Sequence, residues 1–155
     1  MHTARRFLQL PIASILLAAM LLPMPASAQN QNMVQSGDIT VHYNALPTRS
    51  LSADVAHQYG ITRSASRGLL NVAVRRGADG TDKAIPATVT AAATNLNGQR
   101  QDLALREVRE GEAIYYLAEV RVADKETLTF DIEVKADGAP SPLRATFQQQ
   151  FFVEP

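Results

Sequence analysis

The sequence predicts an all-β protein, an immunoglobulin-like antiparallel β-sandwich of about seven strands with one short helix in the first inter-strand connection. Three observations carry this. In Thr127–Lys135, Leu128, Phe130, Ile132 and Val134 share one parity and Thr129, Asp131, Glu133 and Lys135 the other, and period two marks a strand with one buried face. The same alternation returns in segment after segment, with turn formers between them. No strand–helix–strand rhythm interrupts it, which points to a sandwich and not to a parallel sheet. A small closed barrel is the alternative the pattern leaves open. The chain has no cysteine and no tryptophan, so only the architecture of antibody domains is expected, without their Cys–Trp–Cys signature.

Taken in order, Gln29–Ser36 is polar and Asn/Gln-rich and reads as a disordered lead-in to a single domain over 37–155. From Ile39, Val41, Tyr43 and Ala45 oppose Thr40, His42 and Asn44, and Pro47 ends the strand. Ser52–Tyr59 is the helix: Ser52 can accept from a free N–H of the first turn, Gly60 suits the residue after the last turn, and Val55 and Tyr59 form a weak apolar stripe. Arg67–Arg75 places Leu70, Val72 and Val74 on one face, and a Gly/Asp-rich turn over Arg76–Lys83 leads to Ala87–Leu96. Asn97-Gly98 is a hairpin signal in which both residues favour positive φ. Arg100–Val108 returns with Leu103 and Leu105 inward, and Glu110-Gly111 turns the chain again. Ala113–Val122 puts Ile114, Tyr116, Ala118, Val120 and Val122 on one face. After Thr127–Lys135, Leu143–Val153 closes the fold with Leu143, Ala145, Phe147, Phe151 and Val153 together.

Residues 1–28 read as an address. Arg5 and Arg6 precede the apolar run Phe7–Leu22, and Pro25-Ala26-Ser27-Ala28 supplies a small-residue exit. This is the pattern of a secretory signal peptide cut after Ala28. Sixteen apolar-run residues, broken by Pro11 and Ser14, are short of the roughly 20 that span a bilayer. With Gln29 next and no Cys, no lipid anchor and no membrane anchor are expected in the mature chain. Cleavage leaves 127 of the 155 residues, enough for one domain with a real core. The leader holds two of the 15 basic residues and none of the 15 acidic ones, so the mature charge is −2. That balance argues against a nucleic-acid partner.

Catalytic and metal chemistry find little material. Zero Cys excludes thiolate nucleophiles and Cys-ligated metals. There is no G-x-S-x-G elbow and no H-x-H or H-E-x-x-H spacing, so no catalytic residue, cofactor or metal is assigned. Glu110 and Glu112 read as a solvated turn. The long connection Ala45–Gly68 carries Arg49, Arg63 and Arg67 against Asp54 alone. With Ser64 and Ser66 they suggest an anion or carboxylate site, or arginines that bridge the connection to Glu107 and Glu110. Tyr115 points opposite to Tyr116, onto the outer face or beneath that connection. Phe151 and Phe152 must face opposite ways.

Gly37–Ala45, Val55–Ser64 and Leu70–Val72 resemble a family of small exported proteins of Gram-negative bacteria, domain-of-unknown-function family 4426, and Arg106–Ala118 is similar to its second block. The resemblance implies a periplasmic single-domain protein and transfers no activity. The polar members of the matching blocks, His42, Asn44, Arg63, Asn71, Arg106, Glu107 and Tyr115, are the candidate binding residues. The reading is a non-enzymatic binding or accessory module with a periplasmic protein partner. Two alternatives stand beside it: a small-ligand or metal site around His42, and a structural envelope protein whose polar blocks only hold the fold.

Overall fold

The structure, a computed structural model, describes residues 32–153. The proposed leader and its cleavage point lie outside the described residues. Ten strands occur within them: β1 (Met33–Ser36), β2 (Ile39–Pro47), β3 (Arg67–Arg76), β4 (Lys83–Ala84), β5 (Ala87–Asn95), β6 (Arg100–Leu103), β7 (Arg106–Glu110), β8 (Ala113–Arg121), β9 (Thr127–Ala136) and β10 (Leu143–Gln150). A 3₁₀ turn (Thr48–Ser50) and helix α1 (Ala53–Gln58) lie between β2 and β3.

The strands form two antiparallel sheets, in the orders β1-β2-β3-β8-β7 and β10-β9-β5-β6, with β4 paired to the far end of β3. With β2, β3, β8 and β7 as A, B, E and D, and β5, β6, β9 and β10 as C, C′, F and G, this is the strand order of an immunoglobulin-type sandwich. The inner faces meet in one core that includes Ile39, Val41, Leu70, Val72, Val74, Val120, Leu128, Phe130, Ile132, Val134 and Phe151. Tyr43, Phe147 and Phe130 form a ring ladder with centroids 5.0 Å apart at each step. Phe151 lies so close to β3 that a Cβ on Gly68 would stand 2.7 Å from its Cε1. Phe152, on the opposite side of the chain, is exposed.

Several boundaries differ from the sequence expectation. Met33–Ser36, within the expected lead-in, form β1, which pairs with β2 with Met33 opposite His42 and Ser36 opposite Ile39. Arg100–Val108 is two strands: β6 pairs with β5 in one sheet and β7 with β8 in the other. Leu103 and Leu105 still pack against the core across the switch. Gln101 ties that edge, bonding both the N–H and the C=O of Arg121. At Asn97-Gly98 only Gly98 has positive φ (77°). Gly98 N–H donates to Asn95 C=O and Asn95 N–H to Gln99 C=O, giving a three-residue loop closed by a left-handed glycine. β10 ends at Gln150, after which Phe151 N–H bonds Glu126 C=O. In α1, Ser52 caps through Val55 N–H as expected, but the buried residue is Ala56 and Val55 is exposed.

Candidate functional site

The chain from Thr48 to Ser66 folds back over the outer face of the first sheet. Its ends are stapled by Thr48, wholly buried, whose Oγ1 donates to Ser64 C=O (3.1 Å) and accepts from Ser64 N–H (3.0 Å). Its middle is clamped by β7 and β8. Tyr59 donates its phenol to Glu110 Oε2, Gln58 donates to Glu110 Oε1 (3.1 Å), Arg106 donates to Tyr59 C=O, and Thr62 N–H reaches Glu119 Oε1 (3.4 Å). Acceptance by the Glu110 carboxylate, together with burial and the charge of Glu110, pushes the Tyr59 phenol up to about 12.

Beneath this strap lies a second apolar cluster of Ala56, Ile61, Leu69 and Leu117, with Leu51, Tyr59, Val108 and Tyr115 packed against it. The packing is incomplete. A hollow of about 210 Å³ remains, with Leu46, Leu69, Asn71, Tyr115 and Leu117 contributed by the sheet and Leu51, Val55, Tyr59 and Ile61 by the strap. No charged side chain lines it. Asn71 Oδ1 is buried and finds no hydrogen-bond donor among the described residues. Asn44 stands directly opposite Asn71 across β2 and β3, exposed, at the uncovered side of the same face.

The candidate residues thus divide. Asn71 and Tyr115 meet at the hollow, and Asn44 stands beside it on the neighbouring strand, outside its lining. Tyr115 lies under the connection as one of its two expected positions required. Arg106 holds the strap from outside. Glu107 is bonded by Arg109 at 2.6 Å, which holds its carboxyl below the usual range. It also accepts from the Tyr116 hydroxyl, which in turn accepts from Ala87 N–H of the other sheet. Arg63 sits elsewhere, donating to Arg49 C=O (3.2 Å) in a separate groove with Ser50, Ser64 and Phe152. Arg49 and Arg63 line that groove together, while Arg67 stands apart from them, paired with Glu119.

His42 is exposed on the outer face, with Met33 opposite on β1 and Ala73 opposite on β3. Asp82 lies near enough to feel its charge, but Arg75 binds Asp82 at 2.5 Å and lowers its carboxyl first. Among the described residues no group of three or more His, Cys, Asp or Glu could hold an ion.

The sequence reading missed Leu46, Leu69 and Leu117, the floor of the hollow. The signal was present: Leu69-Leu70 and Tyr116-Leu117-Ala118 are apolar on both parities, which marks a strand covered on both faces.

Among solved structures, the chain is similar to a DUF4426 family protein from Pseudomonas aeruginosa PAO1, with 34% identity, 83% of this chain and 99% of that chain covered, and a TM-score of 0.68. It shares its fold, at 10% identity, with FetP of uropathogenic Escherichia coli strain F11, expressed recombinantly in the periplasm (79% and 94% covered, TM-score 0.56), and with a copper-bound variant of FetP (77% and 93%, TM-score 0.54). No curated protein matches. The family model described as a domain of unknown function, DUF4426, matches residues 33–154, and the chain therefore belongs to the DUF4426 family.

Proposed function

We propose that this protein is a non-enzymatic binding module of the bacterial periplasm, and that it takes a small apolar group into the hollow beneath α1. The observation that carries the reading is an uncharged, largely apolar recess of about 210 Å³ left unfilled between the strap and the sheet, with Asn71, Tyr59 and Tyr115 in its lining. A recess lined mostly by apolar and aromatic side chains with a few polar groups is the usual form of a ligand site. Export rests on the leader pattern of residues 1–28. An accessory role alongside a protein partner is part of the same proposal, since a recess of this size suits a single side chain of a partner.

The test is ligand-observed NMR with a panel of small neutral and charged fragments, on wild type and on Val55→Phe. Val55 stands at the lip, and the larger ring fills the recess. The reading expects neutral apolar fragments to bind wild type and to lose contact with the variant. Binding that survives Val55→Phe, or that favours charged fragments, contradicts it.

A further inference from the structure

Away from the recess, we infer that Met33 and His42 form a two-donor site for a soft monovalent metal ion, of the Cu(I) class. The chain has four methionines and three histidines, and cleavage after Ala28 would leave only Met33, His42 and His57 of them. The fold sets that sole remaining thioether directly opposite one of the two remaining imidazoles, Met33 of β1 against His42 of β2.

Register and burial place both side chains on one face. The next pair along, Val34 with Val41, belongs to the core side: Val41 is wholly buried and Val34 packs against the core cluster. Met33 and His42 stand one step away on each strand and so turn to the outer face. Directly opposed residues of an antiparallel pair hold their Cβ atoms about 4.5–5.5 Å apart. Metal–nitrogen and metal–sulfur bonds of about 2.0 and 2.3 Å bridge a gap of about 4 Å, which the three rotatable bonds of a methionine can set.

The imidazole is not spent on the fold. His42 is exposed and makes no hydrogen bond among the described residues, and across β3 it faces only the methyl of Ala73. Asp82, the anion that feels its charge, is held by Arg75 through both carboxylate and backbone carbonyl, so it offers no third ligand.

The donor pair selects the ion. Structural zinc takes four ligands, and calcium and magnesium take oxygen. Among the described residues no group of three or more His, Cys, Asp or Glu supplies them. A thioether is a soft ligand that selects Cu(I), and an imidazole suits copper as well. A monovalent ion with a filled d shell is satisfied by few donors, so this pair suffices where zinc is left incomplete.

With the leader removed, one methionine methyl signal remains, and it reports on the site alone. Protein exported and processed by its host, labelled at that methyl, is titrated with Ag(I), an air-stable ion of the same class. Cu(I) is titrated without oxygen against a chromophoric chelator, with Zn(II) as the control. The Met33 methyl and one imidazole are expected to shift together and to saturate at one equivalent. Met33→Leu and His42→Ala are each expected to weaken Cu(I) binding by about tenfold or more, the least that even an outer-shell partner contributes. His57→Ala is expected to bind as wild type does. Met33→Leu keeps the side-chain volume, and circular dichroism verifies its fold. An unmoved Met33 methyl, or a Cu(I) affinity unchanged by Met33→Leu, overturns the site. Zn(II) bound as tightly as Cu(I) overturns the class of ion. Fragment binding at the recess is expected to be the same in all three variants, so failure here and failure there are told apart.

Discussion

The phenol of Tyr59, at the end of α1, donates to the carboxylate of Glu110 on β7, fifty-one residues further along the chain. This bond, with Gln58 on the other carboxylate oxygen, ties the strap to β7.

That bond makes the strap sensitive to alkali. The phenol titrates near 10 when the chain is unfolded and is pushed up to about 12 in the fold. A raised folded value gives a contribution that is complete below about pH 10 and disappears as the pH climbs through about 12. Spectrophotometric titration of the four tyrosines is expected to show one ionising near 12, absent in Tyr59→Phe. The same variant is expected to lose about 1 kcal/mol at neutral pH, a modest value for a solvent-accessible bond to a carboxylate.

Asn71→Leu is expected to raise stability by about 1 kcal/mol in urea denaturation, because it removes a buried acceptor with no protein donor and adds apolar contact. Loss of stability in this variant would mean that Asn71 serves the fold and not a ligand.

Gly68→Ala is expected to destabilise by about 1–3 kcal/mol, since the new methyl must displace the Phe151 ring from a filled core. Combining it with Phe151→Leu tests the cause. A double-mutant cycle should recover part of the loss, whereas simple additivity would place the strain elsewhere.

Tyr116→Phe is expected to cost about 1–2 kcal/mol. The Tyr116 hydroxyl accepts from Ala87 N–H at 2.7 Å across the sandwich, and the variant leaves that donor unpaired. His42→Ala, by contrast, is expected to change stability by less than about 0.5 kcal/mol, as an exposed side chain with no hydrogen bond among the described residues. A large loss on His42→Ala would revive the reading in which this histidine holds the fold.

Most of the sandwich was legible because period two is written into β8 and β9, where every residue of the inter-sheet core falls on one parity. The start of α1 was legible for an equally local reason, the Ser52 cap. Two features were not. The division of Arg100–Val108 between sheets leaves the alternation of Leu103 and Leu105 intact, so no local pattern reveals it. The recess depends on which residues of a long connection descend onto Leu69 and Leu117, and that is set by non-local bonds from Thr48, Arg106 and Glu110. The polar residues of the matching blocks therefore separated: Asn71 and Tyr115 line the recess with Asn44 beside them, Arg106 and Glu107 are bonded within the fold, Arg63 lies in another groove and His42 is exposed.

The central claim is that the recess beneath α1 is where this protein binds. The most direct measurement is an amide chemical-shift map of the labelled protein titrated with indole. The account predicts saturable shifts confined to Leu51–Ile61 and to Leu69, Asn71, Tyr115 and Leu117, lost in Val55→Phe. Saturable shifts that instead cluster around Arg63 and Phe152, or around Met33 and His42, would contradict it.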